Sequence, residues 1–395
     1  MLSIEEALQH LLSAARPLET REWLPLALAQ GRILAAPLVS RVSVPPLDNS
    51  AMDGYAVRRD EWAEERLFPV SQRIPAGHIG AELAPGTVAR IFTGAPVPPG
   101  ADAIVMQEDC VVEGDAIRIV HRPRVGDHIR RAGEDFAEGQ AILSAGTRLG
   151  PAQLGLAAAA GAAILNVVRP LKVAVFFTGD ELKAPGEPLG PGQIYNSNRA
   201  TLTALLNQMG CHVIDLGDVP DTLDATVAAL QQAAASADVI VTSGGVSVGE
   251  EDHVKAALTQ LGRLDMWKVA MKPGKPLAFG RIGETDFLGM PGNPVSAFVV
   301  FCLFARPFLQ ARMGMAPEPL MAFTLPAGFD KAKPGNRREF MRARIENGQA
   351  ILYPNQSSGA LSSLAWAEGL LDIPADTPLS RGDSVLFIPL ASLLS

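Results

Sequence analysis

Between Leu171 and Leu309 short apolar runs alternate with helix-forming segments, and this alternation constrains the fold more than any other feature of the chain. "LKVAVFF" (171–177) is a short apolar strand, and "NSNRATLTALLNQMG" follows as a helix, with Asn198 as its expected N-cap and Gly210 as its stop. "CHVIDLG" and "DVIVTSGG" are further strands, separated by the helix "DTLDATVAALQQAAASA". "EEDHVKAALTQLG" is a third helix, followed by "MWKVAM", "PLAFGRI", "TDFLGM" and a helix from about Pro294 to Gly314. Strands that alternate with helices form right-handed βαβ units and a mainly parallel, doubly wound sheet. Ligands of such sheets bind beyond the carboxyl ends of the strands. The loops there are "FFTGDEL", "VTSGGVSVGEED" and "GMPGNPVS".

The rest of the chain reads differently. The first 165 residues are short β-runs broken by Pro and Gly, which predicts one or two β-rich domains, and 316–395 predicts a small C-terminal β-domain. A length of 395 residues is too great for one ordinary core and implies about two to four domains. The N-terminus predicts an amphipathic helix with a Ser3/Glu6 capping box and Ile4, Leu8, Leu11 and Ala15 on one face. It has neither the basic start nor the continuous apolar stretch of a signal peptide. Val295–Leu309, the most apolar stretch, reads as too short to span a bilayer and contains Arg306 and Pro307, so a buried helix is expected. Three scattered cysteines imply neither a disulfide framework nor a zinc site. A cytoplasmic protein with no membrane association is expected. A net charge of −8 ranks nucleic-acid binding low, although local clusters still decide whether an anion binds.

Several loops carry chemistry. In "TSGGVSVGEED" (242–252), Gly244 and Gly245 let backbone N–H groups approach a ligand, Ser243 and Ser247 add hydroxyls, and a helix N-terminus follows. A Gly-rich turn with acidic helix caps gives the same pattern. "TGDEL" (178–182) occupies the equivalent position after the first strand, so Glu181 and Asp252 sit on neighbouring strand ends. Two carboxylates near a phosphate suit Mg²⁺. "MWKVAMKPGKP" (266–276) puts Lys268 and Lys272 on one face if extended, with Lys275 in a tight turn. "NRREFMRARI" (336–345) puts Arg338, Arg342 and Arg344 on one strand face. Such runs are mostly exposed, but arginine forks also suit oxyanions. None of the six histidines stands in a catalytic pattern.

"DNSAMDGYA" (48–56), "RIFTGAPVPPGADAIVMQE" (90–108), "RRAGED" (130–135), "TGDEL", "TSGGVSVGEED", "WKVAMKPGKP", "GMPGNPVSA" and "QSSGALSSLA" (356–365) stand in a fixed order over nearly the whole chain. In order and wording they resemble the molybdopterin molybdenumtransferase family, which includes bacterial MoeA proteins and the gephyrin E domain. The resemblance implies a Mog-like doubly wound α/β domain at 169–315 with an N-terminal helix (1–17) packed on it. It further implies a discontinuous strand-rich linking domain (18–40 and 138–168), an inserted β-rich domain (41–137) and a C-terminal β-domain (316–395). It implies an elongated homodimer with each cleft lined by both subunits. Transient contact with a Mog-type adenylyltransferase and with molybdoenzyme maturation proteins is also implied.

The activity implied is insertion of molybdate into adenylylated molybdopterin with release of AMP, forming molybdenum cofactor. Tungstate substitutes in some members. Carried over residue by residue, Glu181 and Asp252 would hold Mg²⁺, Lys268, Lys272 and Lys275 would contact phosphate or oxyanion, and Ser243 to Ser247 would cradle the pterin phosphate. Asp53, Thr93 and Asp135 would act from the partner's cleft wall. Pro291, Asn293, Pro294, Arg342 and Ser358 would line a molybdate pocket, and Asp221 matches a further acid. Two positions depart from the pattern: Glu368 replaces a common asparagine, and "QSSGAL" lacks a histidine that some members carry. Two other readings remain: a Mog-type molybdopterin adenylyltransferase, which shares the α/β domain but uses ATP, and a gephyrin-E-like scaffold.

Overall fold

The computed structural model describes residues 1–245, 253–317 and 319–394. The chain divides into two compact units, one of Met1–Glu22, Gly31–Ile33 and Val168–Ser395, the other of Trp23–Gln30 and Leu34–Val167.

The first unit holds the doubly wound sheet. Its strand order is His212–Val219, Lys172–Thr178, Val239–Ser243, Thr285–Met290, Pro276–Ile282, Arg263–Lys268. The first four strands are parallel, and the last two join antiparallel as a meander at one edge. Val173, Val175 and Phe177 are as fully buried as Ala174 and Phe176, so Lys172–Thr178 is covered on both faces. A continuous apolar run is what a central parallel strand requires. Helices Leu223–Ser236 and His253–Leu261 pack against one face around Phe176, Ile240 and Phe287.

The helix after Thr285–Met290 forms within two residues of its expected bounds. It runs from Pro294 to Arg312, 19 residues with a π turn over Phe301–Ala305, and is apolar and long enough to cross a membrane. However, 83% of it is buried inside the protein, and it is a core helix. The N-terminal helix Ile4–Ala14 forms with both halves of the Ser3/Glu6 capping box in place and buries Ala7 and Leu11. The helix after the first strand starts two residues earlier than its expected cap suggested. It spans Ser197–Gln208, and Asn196, not Asn198, is the N-cap, accepting from the Arg199 N–H.

A second six-stranded sheet in this unit is built on Arg338–Glu346. It pairs antiparallel with Gly369–Ile373 and Gln349–Leu352, while Ser384–Pro389 and Phe323–Pro326 extend the sheet. Its outermost strand on the other side is Met271–Lys272, which pairs parallel with the start of Arg338–Glu346. The extended segment expected over 266–276 is therefore broken. Lys268 ends a strand of the α/β sheet, and Lys272 belongs to the C-terminal sheet, so the two lysines do not share a strand face.

The other unit contains a six-stranded sheet ordered Ala103–Met106, Gly54–Val57, Val88–Ile91, Leu67–Ile74, Ala116–Ile119, Cys110–Glu113. Alternate residues feed two cores. Tyr55, Val57, Val88 and Val105 face one side, and Ala56, Ala89, Ile91 and Ile104 face the other. A further small core gathers Ala29, Leu34, Leu149, Ala157, Leu165 and Val167, using the short helix Pro151–Ala159. In the central strand Gly54 serves close approach, not a bend. A Cβ there would lie 1.9 Å from the Val105 carbonyl oxygen of the adjacent strand. Because only backbone can yield to that clash, Gly54→Ala is expected to destabilise the protein by about 1–3 kcal/mol. The measurement is the chemical denaturation midpoint, and an unchanged midpoint would show that the strand pair can part without cost.

Candidate active site

The three neighbouring parallel strands Lys172–Thr178, Val239–Ser243 and Thr285–Met290 end at one level, with Phe177 opposite Ser243 and Ser243 opposite Met290. The chain leaves these ends through glycine and proline. Gly244 has φ +97°, and a Cβ on it would sit 2.9 Å from the Thr178 carbonyl oxygen, so no side chain fits there. Its N–H donates to the Met290 carbonyl, which pins the turn to the next strand.

These ends form one wall of a cleft of about 1140 Å³. Gly244, Gly245, Pro291, Gly292 and Asn293 line it from the α/β sheet, and Lys272, Gly274 and Lys275 from the "KPGK" turn. The opposite wall comes from the C-terminal sheet and its loops: Glu339 and Arg342 from the strand Arg338–Glu346, Lys331, Lys333 and Arg337 from the loop before it, and the loop Gln356–Ser358. The two walls are tied together where the Val295 N–H, in the first turn of the core helix, donates to the Ser358 carbonyl at 3.0 Å.

The charge in the cleft is one-sided. Six cationic side chains, Lys272, Lys275, Lys331, Lys333, Arg337 and Arg342, face one carboxylate among the described lining residues, Glu339. Glu339 is buried and shared, with its carboxylate 3.1 Å from Lys331 Nζ and 3.5 Å from Lys272 Nζ. The Arg337 guanidinium donates to the Met271 carbonyl and has no carboxylate partner among the described residues.

Arg342 is the most unusual of the six. It is 1% exposed, and among the described residues its guanidinium donates only to neutral oxygens: Ser363 Oγ at 3.0 Å, the Ser357 carbonyl at 3.1 Å and the Phe340 carbonyl at 3.4 Å. Burial without a counter-charge pushes its pKa down to about 10. Gln356 clasps its backbone from both sides, accepting from the N–H at 3.0 Å and donating to the carbonyl at 2.8 Å. Arg338 and Arg344 share its strand parity but not its state. Arg338 is neutralised by Asp372 and Glu5, and Arg344 pairs with Glu346 and lies over Trp366. A buried, fixed and uncompensated guanidinium at the wall of a basic cleft is chemistry for an oxyanion.

Of the residues singled out by sequence, the structure brings Gly244, Gly245, Lys272, Lys275, Pro291, Asn293, Arg342 and Ser358 into this cleft. Ser243 and Pro294 lie directly behind its lining, Ser243 buried with its hydroxyl donating to the Pro291 carbonyl. Lys268 is not among the lining residues and is exposed. Glu181 is exposed in the loop after the first strand, and the Asp221 N–H reaches Asp180 Oδ1 at 3.4 Å in the neighbouring loop. Ser247 and Asp252 lie outside the described residues. Sequence reading missed Lys331, Lys333, Arg337 and Glu339. The signal was present in "DKAKPGNRR" (330–338), the stretch that leads into the strand Arg338–Glu346.

No group of three or more His, Cys, Asp or Glu side chains among the described residues is placed to hold a metal ion. Glu181 is exposed, has no ion pair among the described residues and is not among the lining residues of the cleft, and a lone carboxylate meets Mg²⁺ only where ligand oxygens and water supply the other positions.

The remaining three residues belong to the other unit, where three sequence motifs meet. Asp48 Oδ1 accepts from the Ala132 N–H at 2.8 Å, and its Oδ2 pairs with Arg131, which joins "DNSAMDGYA" to "RRAGED". Ser50 exchanges backbone bonds with Gly94 and Ala95 of "FTGAP". Asp53 Oδ1 accepts from both the Thr93 N–H and the Thr93 hydroxyl, each at 2.8 Å. Those two bonds, the backbone one first, hold its carboxyl below the usual carboxylate range. Asp53, Thr93 and Asp135 are all exposed.

Comparison with known proteins agrees along the length of the chain. The MoeA N-terminal region (domain I and II) matches residues 2–161, a probable molybdopterin binding domain matches 174–311, and the MoeA C-terminal region (domain IV) matches 324–390. Molybdopterin molybdenumtransferase 2 of Mycobacterium tuberculosis is 41% identical over 396 residues, covering 95% of this chain and 96% of that one. The molybdopterin molybdenumtransferase of Haemophilus influenzae is 43% identical over 317 residues, covering 80% of this chain and 78% of its own. A crystal structure of the molybdopterin biosynthesis moeA protein from Pyrococcus horikoshii OT3 superposes with a TM-score of 0.86 at 30% identity, covering 98% of this chain and all of that one. With its N-terminal, central and C-terminal regions matched in turn, and with relatives this similar from end to end, the chain belongs to the molybdopterin molybdenumtransferase family.

Proposed function

We propose that this protein inserts molybdate into adenylylated molybdopterin, breaking the phosphoanhydride and releasing AMP. The observation that carries the proposal is the cleft at the strand ends, where, among the described residues, six cations face a single carboxylate and one guanidinium is buried without a counter-ion. Both substrates and both products are anions, so most of the catalytic task is to offset charge with groups already in place. Lys272, Lys275, Lys331, Lys333 and Arg337 neutralise phosphate and oxyanion as they enter. The fork of Arg342, with the Ser358 loop beside it, fixes molybdate. The backbone of Gly244 and Gly245 approaches the pterin phosphate. Mg²⁺, when bound, would lower the charge on the phosphoanhydride. Glu181 is the described residue that would meet it, with Asp252 as the second carboxylate of the expected pair.

Relatives named molybdopterin molybdenumtransferase, at 41% identity over nearly the full length, favour this reading. Against the adenylyltransferase alternative stands the second wall of the cleft. Arg342 comes from the C-terminal sheet, and Lys331, Lys333 and Arg337 from the loop that leads into it, none of which an α/β domain alone has. The scaffold alternative leaves an uncompensated buried arginine without a purpose. Incubation with adenylylated molybdopterin and molybdate should release AMP in proportion to cofactor formed. Adenylylation of molybdopterin from ATP without molybdate insertion would overturn the reading.

Asp53 is read as a fixed anion at neutral pH that orients a reactant or the metal. We infer further that the protein acts as a homodimer, in the cytoplasm, with Asp53, Thr93 and Asp135 serving the cleft of the partner subunit. Mixing a subunit that carries Asp53→Ala with one that carries Glu181→Ala should then restore one working cleft per heterodimer. Activity no higher than that of either parent would assign the site to a single chain.

Arg342→Met keeps the volume and removes the charge. Loss of charge-assisted hydrogen bonds should weaken molybdate binding about 10- to 100-fold by calorimetry. The thermal midpoint should hold or rise, because an uncompensated buried charge has been removed. Equal molybdate affinity in the variant would remove Arg342 from the pocket.

The Asp53 carboxyl also makes a pH prediction. Its folded pKa lies below its unfolded value, so its contribution to stability is present above about pH 4 and is lost as pH falls through the lower folded value. Thr93→Val removes the hydroxyl donor, so the Asp53 pKa should rise toward the ordinary carboxylate value. An NMR titration of the Asp53 carboxyl carbon measures this, and an unmoved midpoint would show that the hydroxyl bond is not made in solution.

A further inference from the structure

Asn198 was expected to cap a helix, and the structure relieves it of that task, since Asn196 is the cap. Its amide instead spans the ends of two strands. Asn198 Nδ2 donates to Ser243 Oγ at 2.7 Å and to the Gly292 carbonyl at 2.7 Å. Ser243 Oγ passes the chain on, donating to the Pro291 carbonyl at 3.0 Å. The direction of this relay is forced, because carbonyl oxygens only accept. Both amide hydrogens of Asn198 and the hydroxyl hydrogen of Ser243 are therefore committed.

The other side of the amide supports the same conclusion. Asn198 Oδ1 is buried and has no hydrogen-bond partner among the described residues. An orphaned buried acceptor costs about 1–3 kcal/mol, so packing alone would favour an apolar residue of the same shape. What an apolar residue cannot do is donate twice. The two donations fall on the residues that introduce the cleft wall. Ser243 precedes Gly244 and Gly245, and Pro291 and Gly292 precede Asn293, all but Ser243 lining the cleft.

We propose that Asn198 is a positioning residue. Through Ser243, Pro291 and Gly292 it fixes the separation of the two glycine-bearing turns that receive the anionic substrate, without touching substrate itself. The inference rests on the reading of this cleft as the reaction site. Its structural part is independent of that reading: the turns on the two strand ends are held in register by one side-chain amide.

Asn198→Leu, nearly the same size and uncharged, is the test on the full chain. The Gly244 N–H, which donates to the Met290 carbonyl across the same seam, should exchange with solvent at least tenfold faster in the variant. In molybdate-dependent AMP release kcat should fall at least tenfold, while KM for adenylylated molybdopterin changes less than about threefold. Here kcat is referred to active sites counted by stoichiometric binding of adenylylated molybdopterin, because a general loss of folded protein would lower the site count and leave kcat per site and KM unchanged.

Exchange within twofold of the parent, or an unchanged kcat, overturns the proposal. Exchange that quickens in a protein showing no molybdate-dependent AMP release at all would keep the latch and reject the reaction. If the leucine variant fails to fold, Asn198→Asp fits the same space. Ionised, it can only accept, and protonated it regains one donor. Its kcat should recover on acidification relative to the parent, and a parallel pH profile would overturn the role.

Discussion

The level at which three parallel strands stop governs the rest of the site. Residue pairing runs unbroken from Val173 and Val239 to Phe177 and Ser243, and from Asp286 to Met290. The turns that leave two of these ends, at Gly244–Gly245 and at Pro291–Asn293, therefore lie side by side and line one cleft. Glycine at 244 and 245 follows from that crowding, since a side chain on Gly244 would strike the carbonyl of Thr178 and one on Gly245 would strike the side chain of Val254. The register is itself held by burial on both faces. A one-residue slip of Lys172–Thr178 would exchange its two apolar sets and move the loop after it away from its neighbours.

On this scaffold the protein concentrates positive charge against its own average. The chain carries a net charge of −8, yet the described lining of one cleft gathers six cations with one acid. Glu339 explains how the arrangement is tolerated. Placed between Lys272 and Lys331, it offsets repulsion where the two walls approach, and it leaves Lys275, Lys333, Arg337 and Arg342 uncompensated within the lining. Burying Arg342 without an acid opposes stability, because desolvation disfavours the charged form. The neutral oxygens of Ser363, Ser357 and Phe340 recover part of that cost and hold the guanidinium fixed. A fixed, poorly solvated cation has little left to lose when an oxyanion replaces the missing counter-charge.

What the sequence revealed and what it hid divide along contact range. Period and apolar runs located the α/β strands and helices to within a few residues, because those signals are local. The cap at Asn196 was misread by two residues because both asparagines of "NSN" satisfy the local rule, and only the distant strand ends occupy Asn198. Lys268 and Lys272 were grouped by alternation, but the chain changes sheets between them, and the partner strand that captures Lys272 lies more than sixty residues away. Arg338, Arg342 and Arg344 share one pattern in sequence. Acids at Asp372, Glu5 and Glu346 separate the two that are paired from the one that is not. Lys331 and Lys333 stood in plain view as charge, but nothing local says which way a loop between strands will face.

The unit that contains Asp53 shows the complementary situation. Its carboxylate is exposed, and the N–H and hydroxyl of Thr93 fix Oδ1. Asp48, a few residues earlier, is spent inside the unit on Arg131 and Ala132. The same short segment thus holds one acid whose partners are already present and one whose geometry is set with no ion pair of its own among the described residues. An exposed carboxylate that served only solubility would gain nothing from two short hydrogen bonds to a neighbouring loop. Those bonds make sense if a fixed direction matters, and direction matters when a reactant or a cation must meet the oxygen that remains.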